Sequence, residues 1–231
     1  MLADALPRTI RAHKIARQIC ATADLAAEPK DPVVGQQRVE PTSAARVGDC
    51  TRDIIVNLLL MLNDSERERV DLAEVDLTGV NLSLARLGQT RFRKAHLDNT
   101  VFNRALLKGA VFRGATIDGA ILTRANLQSA DLTGARGTVH AIRADLSDSI
   151  LDQANLSCSM MDAVRLKGAS LRHTNLDGAS LAGAALSGAE LDRTQLRHTS
   201  AHHLTGGGLR VSGADFSKTD LADSKIGGSR F

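Results

Sequence analysis

The chain has 231 residues, 43% hydrophobic and 24% charged, so it is long enough to bury a core and too apolar for wholesale disorder. Aromatic residues make up only 2%, with no Trp and no Tyr, so the core must be built from small, repeated aliphatic units. A net charge of +3 is too mild to imply nucleic-acid binding by itself, and three scattered cysteines (Cys20, Cys50, Cys158) argue against a disulfide framework or a structural zinc and fit a reducing compartment.

Residues 1–50 read as an N-terminal helix and linker. Pro7 to Ala27 suits an amphipathic helix, with Ile15, Ile19, Ala23 and Ala26 on one side. Its Arg8, Arg11, Lys14, Arg17 spacing is faintly like a transit peptide, whereas a Sec signal is not supported. Glu28 to Asp49 holds Pro29, Pro32 and Pro41 among polar residues and reads as a linker. Residues 51–69 are expected to form a capping helix, with Thr51 as N-cap and Ile54, Ile55, Leu58, Leu59 and Leu62 on one face. The alternative is a helix that binds a partner. The apolar run from Ile54 to Leu62 is too short to span a bilayer.

From Val70 onward a large apolar residue recurs every five positions. Leu72, Leu77, Leu82, Leu87, Phe92 and Leu97 open a series that runs unbroken to Leu132. It resumes at Leu146 and stays in frame to Phe231. The residue two places before the centre is most often Ala, and otherwise Val, Thr, Ser or Leu. A helix would spread such a series around its whole surface, and a strand would flip it from face to face. The pattern needs a backbone that turns a corner every five residues, so that four corners close a square coil of twenty.

These units resemble the A(D/N)LXX consensus of the pentapeptide repeat family. ADLTG (Ala130–Gly134), ADLSD (Ala144–Asp148), ANLSC (Ala154–Cys158), TNLDG (Thr174–Gly178) and ADFSK (Ala214–Lys218) match it tightly. The resemblance covers residues 70–231 and implies an all-β solenoid, a right-handed quadrilateral β-helix of about eight coils stacked at strand-like spacing. Family resemblance also implies dimerisation through C-terminal coils. It further implies, for some members, mimicry of DNA towards type II topoisomerases such as gyrase.

Two stretches break the pattern. Leu132 to Leu146 is one residue short of three units, so a bulge or corner change is expected around Arg136, Gly137 and His140. The units at Ala201 and Gly206 have no large centre, so a protruding loop is expected around His202, His203 and Gly207. The repeat reaches Phe231, and an open end carrying Phe216, Ile226 and Phe231 predicts an end-to-end homodimer.

No catalytic constellation, metal site or cofactor motif stands out. Ser, Asp and His fall on the outward positions of a repeat, where triad-like combinations arise by accident. His198, His202 and His203 lack nearby carboxylate or thiolate partners in sequence. The local charge feature is basic: Arg91, Arg93, Lys94 and Arg113 should share one face. It reads either as an anion-binding patch or as a solvated face paired with neighbouring coils, and without Trp or Tyr base stacking is not supported. The sequence therefore predicts a cytoplasmic, non-enzymatic scaffold for a protein partner. The alternatives are a gyrase-interacting DNA mimic and an exported bacterial effector. The mimic needs an acidic surface, whereas residues 70–231 hold 19 basic and 16 acidic residues.

Overall fold

The computed structural model describes residues 70–230, and there the period of five is a four-sided coil. The expected helices at 7–27 and 51–69 and the linker at 28–49 lie outside the described residues. One unit, 90–94, shows how the backbone is held. Thr90 and Phe92 point inward and are fully buried, while Arg91, Arg93 and Lys94 are exposed. Arg91 pairs in parallel with Asp71 on one neighbouring coil and with Val111 on the other. The Val111 amide donates to the Thr90 carbonyl at 2.9 Å, and the Phe92 amide donates to the Val111 carbonyl at 2.7 Å. The Lys94 amide donates to the Arg113 carbonyl at 2.9 Å. The Ala95 amide then reaches back to the Phe92 carbonyl at 3.1 Å and closes the corner as a tight turn. Each side offers a single bridge before the chain turns away, so the all-β rod consists of isolated parallel bridges and, among the described residues, no extended strand.

This scheme leaves one backbone N–H per unit unassigned, that of the first corner residue. The side chains supply its acceptor in two ways. In some units the Asp or Asn just before the centre takes it: Asp131 Oδ1 accepts from the Thr133 amide at 3.0 Å, and Asp215 Oδ1 from the Ser217 amide at 2.9 Å. In others an Asp at the first corner of one coil accepts from the next coil. Asp98 Oδ1 accepts from the Asp118 amide at 2.8 Å, and Asp118 Oδ1 from the Thr138 amide at 2.9 Å. The D/N of the repeat, or an Asp just after the centre, thus satisfies a donor for which the backbone ladder has no acceptor.

Eight coils are described: 70–89, 90–109, 110–129, 130–148, 149–168, 169–188, 189–208 and 209–228 (coils 1–8). Within each coil the four units form sides 1–4 in chain order. The centres stack into one continuous core. Coils 2 and 3 hold its three buried rings. Phe92 and Phe112 stack with centroids 4.9 Å apart, and Phe102 meets both edge-on. Where the small inward residue is Thr, its hydroxyl is spent inside the wall: Thr174 Oγ1 donates to the Leu151 carbonyl at 2.8 Å and Thr194 Oγ1 to the Leu171 carbonyl at 2.7 Å.

The first irregularity is a unit of four residues, 135–138. Bridges link residues twenty apart up to Thr116 and Arg136, then nineteen apart from Ile121 and His140 to Arg136 and Asn155. Gly137 takes the place of a centre with φ +141°, and a Cβ there would lie 2.3 Å from the Asp118 amide nitrogen. Ser159 Oγ accepts from the Val139 amide at 3.0 Å and replaces the corner bond that the shortened unit cannot make.

The second irregularity differs from the expectation. No loop protrudes around His202, His203 and Gly207. The ladder runs through unbroken, from Ala185 to Thr205 to Lys225. Bulk has moved between the two inward positions of the unit. Ala201 and Gly206 are small centres, and Leu204 and Leu209 fill the core from the positions that elsewhere hold Ala. A Cβ on Gly206 would already lie 3.3 Å from the Leu209 methyls, so the space is taken.

Candidate interaction surfaces

Stacking turns every outward position into a column along the rod. A residue's neighbours are then those nineteen or twenty positions away. This rule sorts the charged side chains into sides of different character.

Side 1 carries the predicted patch. Arg91, Arg93 and Lys94 lie in coil 2 and Arg113 one coil further, as the spacing predicts. Two of the four are neutralised: Arg91 pairs with Asp71 at 3.6 Å and Arg113 with Asp131 at 3.0 Å. The same side continues with Arg172 to Asp152 at 3.3 Å and to Glu190 at 3.8 Å, and Arg210 to Glu190 at 3.0 Å. Charges of opposite sign thus meet between adjacent coils at four places along this side, coils 1–2, 3–4, 5–7 and 7–8. Each exposed pair contributes about 0–1 kcal/mol. They leave Arg93 and Lys94 as the exposed remainder of the patch, without an ion pair among the described residues.

Side 2 repeats the theme in coils 6–8. Arg197 sits between Asp177, which its Nε reaches at 3.0 Å, and Asp215 at 3.9 Å. The hydrogen bond from Arg197 holds the Asp177 carboxyl below the usual carboxylate range. Hydrogen bonds from Ser217 lower Asp215 likewise. On side 4, burial raises Asp145, but bonds from Ser147 and Gln128 together with the Arg165 charge outweigh it and the net shift is downward.

Side 3 is different. In coils 2–4 its last corner position is Arg104, Arg124 and Arg143 in succession. All three are exposed, and all adopt left-handed backbone, with φ of 55°, 58° and 57°. Together with Asn103, Thr123 and Ile142 they line an open cleft. Beside this column run Val101, Ile121 and, past His140, Met160 at the bridge positions. Val101 and Ile121 are half-buried, and Met160 is 42% exposed. Leu84 at the corner of coil 1 is 67% exposed. No Asp or Glu stands on side 3 in coils 1–4. Sequence reading passed over this column. Its signal was the separation of 20 residues between Arg104 and Arg124 and of 19 between Arg124 and Arg143, and the second is disguised by the short unit.

The other expected site residues remain apart. Arg136 and His140 are exposed bridge residues on sides 2 and 3 of coil 4, flanking the half-buried Gly137. His202, His203 and Gly207 lie three coils away at the corners of coil 7. His202 and His203 meet edge-on at 5.3 Å, and His203 Nδ1 lies 3.9 Å from Asp223. Among the described residues no group of three or more His, Cys, Asp or Glu is placed to hold a metal ion. Cys158 is free and exposed at a corner of side 2. Phe216 and Ile226 are half-buried in coil 8, and Phe231 lies outside the described residues. No helix among the described residues is long and apolar enough to cross a membrane.

The family model for pentapeptide repeats matches this chain in eight copies, over residues 71–109, 85–124, 100–136 and 165–200. The chain belongs to the pentapeptide repeat family. Among solved structures it is similar to HetL, a protein involved in heterocyst differentiation regulation in the cyanobacterium Nostoc sp. strain PCC 7120. The identity is 26% over 67% of this chain and 86% of that one, with a TM-score of 0.33. It is also similar to QnrB1, a plasmid-mediated fluoroquinolone resistance protein, at 19% identity over 68% of this chain and 83% of that one (TM-score 0.43). A third is Rfr23 from the cyanobacterium Cyanothece 51142, at 18% identity over 76% of this chain and 99% of that one (TM-score 0.23). No curated protein matches.

Proposed function

We propose that this protein is a non-enzymatic, cytoplasmic scaffold that binds a protein partner along one side of a right-handed rod. The observation that supports this reading most is the contrast between sides 1 and 3. Side 1 pairs Arg91, Arg113, Arg172 and Arg210 with carboxylates of neighbouring coils, whereas side 3 of coils 1–4 brings no carboxylate to its three exposed arginines and its apolar column. A stack whose backbone donors and acceptors are mutually satisfied holds such columns rigid, and rigidity lowers the ordering cost of binding. The geometry favours this over DNA mimicry. Asp145 and Asp148 fall on side 4, Asp152 on side 1 and Asp162 on side 3, so these acids are scattered around the rod and make no continuous stripe. Affinity capture from nuclease-treated native lysate tests the reading. A stoichiometric protein partner is expected, and capture of no protein would overturn it.

We also propose a homodimer through the C-terminal coils, supported by the half-buried Phe216, Leu221 and Ile226 at the last described coil. Light scattering at micromolar concentration should return twice the chain mass, and a monomer would refute it. Residues 51–69 are proposed as the cap of coil 1. Their deletion should lower the melting temperature of the rod, and an unchanged value would remove that role.

A further inference from the structure

We infer that side 3 of coils 1–4 is a docking strip for an acidic protein segment that carries apolar side chains between its carboxylates, laid along the rod axis. This rests on the scaffold reading and specifies its surface and its partner's chemistry. Three properties of the strip lead to it.

The first is unbalanced charge. Arg104, Arg124 and Arg143 make no ion pair among the described residues, and coils 1–4 bring no Asp or Glu to this side. The nearest candidate in sequence, Asp145, is turned to side 4. There it accepts from Gln128 Nε2 at 2.9 Å and faces Arg165 at 3.7 Å. Elsewhere Arg91, Arg113, Arg165, Arg172, Arg197 and Arg210 pair across coils, and the arginines left without an ion pair, such as Arg93 and Arg193, do not follow one another in a single column. Three successive unpaired guanidiniums on a fixed pitch are therefore a distinct feature of this corner. They present planar donor forks suited to carboxylates.

The second is geometry. Parallel bridges repeat at about 4.8 Å, so the three arginines span roughly 10 Å along the axis. An extended segment places same-side residues at about 6.8 Å, and the long arginine side chains absorb the difference. Two carboxylates on one edge of such a segment meet the column. The column is linear and runs along the rod, so the segment must run along it too.

The third is the apolar strip beside the arginines. Val101 and Ile121 at the bridge positions and Ile142 at the first corner stand on the same side, with Leu84 at its coil 1 end. A polyanion without apolar groups would leave these unused. A nucleic acid would also find no exposed ring for its bases, because the Phe residues of this region are buried. An acidic segment with interspersed Val or Leu uses both columns. The charges steer and orient it, and the apolar contacts hold it.

The test uses the full chain and a fluorescein-labelled twelve-residue peptide of alternating Glu and Val, read by anisotropy. The key variant is R104N/R124N/R143N. Asn tolerates the left-handed backbone of these corners, so the fold is preserved. The control is K94N/R193N/K218N, which removes the same charge from corners of the same conformation, with φ of 54°, 54° and 60°. Saturable binding is expected, weakened by at least about tenfold in the first variant and little changed in the second. A Glu–Ser peptide should bind more weakly than Glu–Val. Absence of binding up to millimolar peptide, equal loss in both variants, or tighter binding of single-stranded dT12 would each overturn the proposal. In lysate capture, a partner retained by R104N/R124N/R143N overturns this surface while leaving the scaffold reading intact. Capture of no partner by the wild type instead strikes at the scaffold reading itself.

Discussion

Coils 2–3 and coils 7–8 are built by the same backbone rule and filled by opposite means. In coils 2 and 3 the centres are Phe, Leu and Ile and the small positions Ala or Thr, so large side chains meet across the axis and three rings lock together. In coil 7 two centres have shrunk to Ala201 and Gly206, and Leu204 and Leu209 fill the core from the neighbouring slots. Coil 8 then leaves Phe216, Leu221 and Ile226 only half covered. The bridges do not notice the exchange. Unit 199–203 holds only Thr199 and Ala201 inward and unit 209–213 holds Leu209 and Val211, so neighbouring units share the volume and the ladder persists. A gap in the sequence pattern is therefore not a gap in the fold.

The sharpest way to break the stack is a charge at a centre. Leu171 is fully buried in coil 6, and Leu171→Asp should unfold the rod or lower its stability by several kcal/mol, since the carboxylate has no partner inside. Arg172→Asp, one residue on, should cost about 1 kcal/mol or less, because it disturbs only exposed pairs. Equal thermal unfolding of the two variants would disprove the register.

The contrast between the two regions predicts the next largest effect. Phe102→Ala empties a fully buried site held by two ring contacts and should cost about 3–5 kcal/mol in a denaturant melt. Phe216→Ala, at the half-covered end, should cost roughly a third of that in the monomer. A reversed order would mean that the C-terminal coils carry the stability.

Smaller changes probe the short unit and the corners. Ser159→Ala removes the acceptor of the Val139 amide and should cost about 1–2 kcal/mol, whereas at a regular unit the same amide would have its corner bond. Gly134→Ala should cost about 1 kcal/mol by backbone strain alone, because its φ is +66° and nothing lies within 4 Å of the added methyl. An unchanged melting temperature for either variant would remove the corresponding constraint. Smallest is the effect of pH. The Arg197 bond depresses Asp177 in the folded state, so its contribution is fully present above the ordinary aspartate value of 3.8 and is lost as pH falls through the lowered folded value. Asp177→Asn should flatten the acid limb of the stability curve slightly, and an identical limb would show that the pair is idle.

The repeat was legible because burial here depends on position modulo five. Leu, Ile or Phe at each centre and Ala two places before it announce the coil without reference to any distant residue. The D/N just before the centre was visible as part of a consensus, but its purpose was not. Only the closed corner reveals the orphan N–H that Asp131 and Asp215 satisfy. The basic patch is a matter of position: Arg91, Arg93, Lys94 and Arg113 lie on side 1 of coils 2 and 3. The twenty-residue coil put them on one face in the sequence and left pairing with neighbouring coils open, and the structure supplies the partners of two, Asp71 for Arg91 and Asp131 for Arg113.

The sequence by itself determined the coil, its four sides, its inward and outward positions and the missing residue near Gly137. These follow from a local rule repeated every five residues. The tertiary structure decided which charges cancel and which stand free. It also decided that Leu204 and Leu209 replace two absent centres, and that Arg104, Arg124 and Arg143 form one column. Those outcomes depend on residues nineteen or twenty positions apart meeting at bridge distance. A single dropped residue changes that separation, and only the stacked coil keeps the count.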